Sequence, residues 1–464
     1  MIASKIGRTF LEAYNRKYNK DYSAKEFFEN VYWELFYNHP KYMQWITNSP
    51  FVQMKKGQKP HLLNNDERKE KLSNLHKKIN DGIRDASIVI GYPASEEKEF
   101  ATTSGLVTDI EFDILEKDVY YSWIGGSLGI GVSGGLSILF DYADILLAIF
   151  EGWKIYRKFL NDTSLAKLAG NKINSWNGQW LNYYFDEDYF ENPDFSMLAD
   201  NNFFKKSETE IVIETIKWSR LFFNLSRKLP NQMITGYVYS LGQTNKTIGF
   251  IPFKFSDARS LSNTYKKLFG EFDAMEQQKD YEVLFGIHIK RACELGSIGI
   301  QALEPKDLRK YFNNDKNLKF TKPVKKKNNE SDEEFVFREQ KTNKKQYEEL
   351  ITFRTYKIWL ITMITKNKEE VLDYTSEIAK KLSEFRSSDK KGSAKYGNLI
   401  NELFKSSNKK LFLSNLTEIL KLERDDKKEY LKELRDRVHL MNGEDFGYFV
   451  TLLKFDYAYQ QKEN

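Results

Sequence analysis

Cysteine is nearly missing from this chain: Cys293 stands alone among 464 residues. One thiol can form neither an intrachain disulfide nor a multi-thiolate zinc site, so a reducing, cytoplasmic setting is expected. Proline is scarce as well, with 9 residues, and the five histidines (His39, His61, His76, His288, His439) are scattered without paired spacing. Few prolines and long Lys- and Glu-rich segments favour helix over sheet. The most membrane-like run, around Ile138 to Trp153, contains Asp141, Asp144 and Glu151 and is too short to span a bilayer. The opening MIASKIGRTFLEAYNRKYNK has no continuous apolar core of the secretory kind, so no leader is expected. A search for H-E-x-x-H, D-x-D, G-x-S-x-G, a nuclease carboxylate set before E-x-K and an HNH-type histidine pair finds none in a workable setting. The expectation is a protein without catalytic residues, metal or cofactor.

Aromatic residues are plentiful at 15%, with 34 Phe and 27 Tyr, and they mark an ordered chain with a sizeable core despite 30% charged residues. The net charge is only +6, from 72 basic and 66 acidic residues, with lysines gathered in clusters. That balance permits nucleic-acid binding without requiring it. The sharpest change of character lies in YYSWIGGSLGIGVSGGLSILFDYADILLAIFEGWKIYRKFL, where Gly125, Gly126, Gly129, Gly131, Gly134 and Gly135 fall close together. VYYSW before them reads as a strand, and the run after them as a helix. Glycines in such a place admit a ligand or a second backbone, adopt positive φ, or act as a hinge. Gly129 to Gly134 fits G-x-G-x-x-G letter for letter, but Glu151 at the ribose-binding distance sits inside a helical pattern, and no P-loop lysine follows.

Residues 4–47 read as aromatic helix, with a capping box at Ser23 and Glu26 and a stop at His39-Pro40. Asn48 and the basic loop holding Lys55, Lys56 and Lys59 are candidates for phosphate contact. Residues 65–84 read as a charged helix, 87–92 and 106–115 as strands, 208–229 as an amphipathic helix, and 281–299 as helical. Met233 to Phe255 reads as a hairpin, with Asn245 and Lys246 at its tip. His288 and Cys293, five apart on one helix, do not face each other as a dyad, and Asp186, Glu187 and Asp188 read as solvated loop charges. Asp109, Glu111 and Asp113 alternate on a strand and share a face that could hold Mg²⁺; an exposed strand face explains them equally well. Residues 321–346, with Lys325, Lys326 and Lys327 in a row, read as a charged linker or loop. From 347 to 464 every segment is helical, with basic breaks at Lys390, Lys391 and Lys395 and at Lys409 and Lys410. The expected fold is α+β: a mixed, largely helical region with small sheet elements over 1–320, then a helical bundle.

The glycine-rich middle with EGWKIYRKFL, and the helical end from FRTYKIWLITMI through NLTEIL to DFGYFVTLLKFDYA, resemble the large subunit of type I CRISPR surveillance (Cascade) complexes, nearest the I-B forms. The resemblance implies a non-enzymatic DNA-recognition protein whose N-terminal domain reads a protospacer-adjacent motif at the foot of the crRNA-bound backbone subunits. Its bundle would guide the displaced strand, stabilising the R-loop in target double-stranded DNA, and a helicase-nuclease would be recruited to it. In such a machine base pairing supplies sequence specificity and the protein reads a short motif and backbone shape. The nucleic-acid-binding residues expected on this reading are Asn48, Lys55, Lys56, Lys59, Gly125, Gly126, Gly129, Gly131, Asn245, Lys246 and the lysines at 325–327, 390, 391, 395, 409 and 410. The alternatives are a metal- or nucleotide-dependent enzyme with its site near the 125–135 glycine segment, and a helical scaffold protein.

Overall fold

The computed structural model describes residues 2–46, 49–82, 115–186, 188–240, 246–287, 292, 294–312, 317–364, 368–388 and 392–463. The fold is α+β and mostly helical, with small antiparallel sheets of two to four strands and a helical C-terminal region. The chain divides into two compact units: Met1–Ser256 with Gly296–Ile298, and Asp257–Leu295 with Gly299–Asn464. The division therefore falls near residue 256, not at the expected 320.

Unit 1 opens with α1 (Ile2–Tyr18) and a helix over residues 24–36 (α2), whose middle, Phe28–Tyr32, is π-helical. The capping box at Ser23 is formed, with the Glu26 N–H donating to Ser23 Oγ and Glu26 Oε2 accepting from the Ser23 N–H. Next come α3 (Asn65–Asn80) and α4 (Glu116–Gly126). The last is a correction, because VYYSW is helical rather than a strand. Glu116 and Asp118 in its first turn suit the positive end of a helix dipole, and Val119, Tyr120, Trp123 and Ile124 recur at helical spacing on its buried side. The expected strands at 87–92 and 106–115 fall outside the described residues, apart from Leu115, the N-cap of α4.

The glycine segment then forms β1 (Ile130–Val132) and β2 (Leu136–Phe140), joined by a turn in which Gly134 and Gly135 take positive φ, 98° and 74°. Helices α5 (Ala143–Asn161), α6 (Ile173–Tyr184) and α7 (Phe195–Asp200) follow. The ribbon β3 (Phe204–Lys206) and β4 (Ile211–Ile213) comes next, and then α8 (Trp218–Lys228). The expected helix over 208–229 is thus corrected at its start. Ile211, Val212 and Ile213 are β-branched, suit a pleated strand, and pair with Lys206, Lys205 and Phe204. The hairpin is present as β5 (Met233–Ser240) and β6 (Lys246–Lys254), which complete an antiparallel sheet in the order β1-β2-β5-β6. Ile298 binds the outer edge of β6: its N–H donates to the Pro252 carbonyl (2.7 Å), and its own carbonyl accepts from the Lys254 N–H (2.8 Å).

The core of unit 1 is aromatic. Tyr32 stacks on Phe36 at 4.3 Å, Phe36 meets Trp153 edge-on at 4.8 Å, and Tyr156 stacks on Trp176 at 4.8 Å. Each of three buried indole N–H groups finds an acceptor: Trp176 the Gly152 carbonyl and Trp180 the Ala148 carbonyl, both at 2.8 Å, and Trp153 the Asn177 side chain at 3.1 Å.

Unit 2 contains α9 (Ser256–Phe269), α10 (Glu271–Glu276), α11 (Gln278–Glu282) and the ribbon β7 (Phe285–Ile287) with β8 (Leu303–Pro305). β7 corrects the wholly helical expectation for 281–299. The long α12 (Asp332–Met363) then leads into α13 (Lys368–Ser387), α14 (Ser393–Phe404), α15 (Lys409–Leu422), α16 (Glu429–Leu440) and α17 (Gly443–Glu463). Much of the expected linker, from 332 onward, is therefore helix. Ser331 and Glu334 close a capping box there, and Asp332, Glu333 and Glu334 fill its first turn. Ile378, Leu382, Leu403, Phe412, Leu434 and Phe449 belong to one buried cluster in the bundle. Lys357, Asp456 and Ser376 add a buried polar triangle, with Lys357 Nζ at 2.8 Å from Asp456 and 2.7 Å from Ser376 Oγ. No helix among the described residues is long and apolar enough to cross a membrane.

Candidate nucleic-acid interface

The glycines expected to meet a ligand meet protein instead, and this corrects their assignment. Gly125, Gly126, Gly129 and Gly131 are buried. A Cβ on Gly125 would overlap the Ala3 carbonyl oxygen, and one on Gly7 would overlap that of Tyr121, so the pair lets α1 and α4 pack backbone to backbone. A Cβ on Gly129 would overlap the Tyr239 hydroxyl, and one on Gly131 would sit 2.9 Å from the Asn174 carbonyl carbon. Asn177 fastens the segment, donating to the Ser127 and Gly129 carbonyls at 2.8 and 2.9 Å. No group of three or more metal-binding side chains occurs among the described residues. Asp109, Glu111, Asp113, Glu187, His288 and Cys293 lie outside those residues, as do Asn48, Asn245, Lys390 and Lys391.

Lys55, Lys56 and Lys59 lie together on one exposed loop of unit 1. Gly57 turns the loop at φ 86°, Lys55 pairs with Glu70 at 3.3 Å, and Gln58 donates to Glu67 at 2.9 Å. Beneath it Lys71 of α3 is buried, and its ammonium donates to the Pro50 and Gln53 carbonyls. Burial lowers the Lys71 pKa, and the two carbonyls accept from the charged group in the place of a carboxylate. Lys246 opens β6 opposite Ser240.

In unit 2 the segment ahead of α12 runs back along that helix as a strap. The Thr321 N–H and hydroxyl both donate to Glu349 at 2.7 Å, Gln346 donates to the Thr321 carbonyl at 3.0 Å, and Arg338 donates to the Lys325 carbonyl at 3.0 Å. Arg338 also grips Glu330 at 2.7 Å, and this partner, with the Lys327 N–H, draws the Glu330 carboxyl down to about 2. The strap carries Lys325, Lys326 and Lys327, with Lys326 paired to Asp332.

One end of the strap lines a cleft of about 450 Å³ against α14 and α17. Five lysines line it (Lys319, Lys322, Lys405, Lys454, Lys462), together with the amides Asn317, Asn401 and Gln461 and the rings of Phe320, Phe404, Phe455 and Tyr457; none of its lining residues is acidic. Lys454 is buried, burial lowers its pKa, and its ammonium reaches the Tyr311 carbonyl at 3.4 Å, a long contact. The Tyr457 hydroxyl is buried without a hydrogen bond among the described residues, and burial raises its pKa against the pull of the Arg386 guanidinium. Lys462 lies 5.7 Å from the centre of the Phe320 ring, and Lys405 pairs with Glu402 at 2.8 Å. Cationic groups, amides and rings without acids in the lining form an inventory suited to phosphates and bases.

Of the remaining expected lysines, Lys395 and Lys410 are exposed on the bundle surface. Lys409 is a structural residue, since its ammonium donates to the His439 and Met441 carbonyls at 3.2 and 2.7 Å and closes the C-terminal end of α16. The five cleft lysines were not among the sequence candidates. A signal exists for three of them, because Lys454, Tyr457, Ala458, Gln461 and Lys462 follow helical spacing along one face of α17, and Asn401, Phe404 and Lys405 do so at the end of α14. No family model matches this chain, and neither does a curated protein or a solved structure.

Proposed function

We propose that the chain is a non-catalytic nucleic-acid-recognition protein of the cytoplasm. In its fullest form the reading makes it the DNA-recognition subunit of a crRNA-guided surveillance complex. There it works beside crRNA-bound backbone subunits, reads a short duplex motif, steadies the R-loop and receives a helicase-nuclease. The observation that supports a polyanion as ligand is the carboxylate-free lysine lining of the unit 2 cleft, continued along the strap to Lys327. Lysines on an exposed strap contact phosphates without selecting sequence, which suits a subunit whose specificity comes from base pairing elsewhere. The loop at Lys55, Lys56 and Lys59 is a second basic surface, and its anchoring by Lys71 gives it a defined shape.

The test is reconstitution with crRNA-bound backbone subunits. Replacing Lys325, Lys326 and Lys327 by Gln is expected to lower target-DNA affinity at least tenfold while assembly is unchanged. A chain that fails to join the crRNA-bound particle, or target affinity that ignores both the strap lysines and Lys55/Lys56→Ala, would overturn the surveillance reading.

A further inference from the structure

We propose that the cleft between the strap and α17 is a pocket for one unpaired nucleotide of a single strand, with phosphate at Lys454, Lys405 and Lys319 and the base against Phe320. The proposal rests on the nucleic-acid reading above and adds the form of the ligand and the residues that hold it. Three observations carry it. The first is size: about 450 Å³ lies in the range of sites that enclose a small molecule, and a nucleotide is such a unit. The second is the chemistry of the wall. Lysines alone would serve any anion, but here the half-buried ring of Phe320 and the amides of Asn317 and Asn401 stand among them. A ring offers its face to a base, and an amide offers both donors and an acceptor to a base edge. In a duplex both faces of each base are covered by stacking, so only an unpaired base can use such a wall.

The third observation is unfinished bonding. The buried Lys454 ammonium has three donors and one long carbonyl contact, so the protein's described residues satisfy it only in part. A phosphate oxygen would supply the missing acceptor for Lys454. The lysines from Lys322 to Lys327 continue the basic track away from the pocket, which favours a strand over a free nucleotide as the source.

The experiment uses the full chain and fluorescence anisotropy with a labelled ten-residue oligothymidylate, competed by a duplex of equal length and by polyglutamate of equal charge. The single strand is expected to bind at least tenfold tighter than the duplex and to resist polyglutamate. Phe320→Leu and Lys454→Met should each weaken it five- to tenfold, and Lys454→Arg should restore most of the loss. Because Lys454 is buried, Lys462→Gln serves as a second, more exposed probe, expected to weaken binding about threefold, and thermal melting checks that each variant is folded. Equal affinity for duplex, displacement by polyglutamate, or indifference to both Phe320→Leu and Lys462→Gln would overturn the pocket. Strand binding that depends on Phe320 in a chain that never joins a crRNA particle would remove the surveillance reading and leave the pocket standing. Normal assembly and motif reading with an indifferent Phe320 would do the reverse.

Discussion

Gly125 and Gly134 look alike in the sequence and do opposite things. At Gly125 any side chain collides with the main chain of α1, which cannot step aside without parting two packed helices. Gly125→Ala should therefore cost about 3 kcal/mol of unfolding free energy, at the upper end of overpacking effects. At Gly134 the space is open and only the positive φ objects, so Gly134→Ala should cost about 1–2 kcal/mol. Urea titration of the two variants measures the difference. His39 supplies a pH test. Its Nδ1 accepts the Lys41 N–H at 2.9 Å, and burial, with the Arg157 guanidinium nearby, lowers its pKa to about 4. The unfolded chain binds this proton near pH 6.5 and the folded chain only near 4, so stability falls as pH drops through that window. With the side chain partly exposed and the charges screened, the loss should be on the order of 1 kcal/mol. His39→Gln should flatten that part of the urea-midpoint profile between pH 7 and pH 4; an unchanged profile would exclude His39 as its source.

Elements were legible where one rule acted alone. The bundle helices α13 to α17 follow from apolar spacing and short polar breaks, and the β5–β6 hairpin from alternation across a turn. The sequence misled where a long-range partner decided. VYYSW has the composition of a strand, but Gly7, far earlier in the chain, lets α1 lie against it as a helix. Ile211, Ile213 and Ile216 imitate a helical stripe, yet the Ile211 N–H donates to the Lys167 carbonyl at 2.8 Å and the strand wins. The strap was legible as a charged segment only; its course along α12 depends on Arg338 and Glu349, whose roles no local pattern announces. Arg338→Ala should free residues 325–330. Trypsin would then cut at Lys325 to Lys327 roughly tenfold faster, while far-UV circular dichroism changes little. Equal cutting rates would mean that the Thr321–Glu349 bonds hold the strap unaided.

For the whole molecule, the near-balance of 72 basic and 66 acidic residues hides how unevenly the charges fall. A net charge of +6 predicts weak steering at best, whereas a cleft with five lysines and no acid in its lining predicts a steep local dependence on salt. Replacing Lys319, Lys322 and Lys405 together by Gln should lower the slope of log affinity against log salt for a single strand by about 2, at roughly 0.7 per lost phosphate contact. A slope that stays put would place the phosphates elsewhere on the surface. The cleft escaped the sequence reading because its wall is assembled from three separated segments, 317–322, 401–405 and 454–462, none of them strongly basic by itself.

The short stretch Gly296–Ile298 belongs to the first unit although residues 257–295 of the second precede it. A gene fragment stopping at Ser256 would thus strip Pro252 and Lys254 of their main-chain partner and expose a raw strand edge to other copies. Such a fragment should precipitate or self-associate, and supplying a short peptide spanning 294–300 should quiet it. Dissecting this protein into halves calls for a stitch as well as a cut.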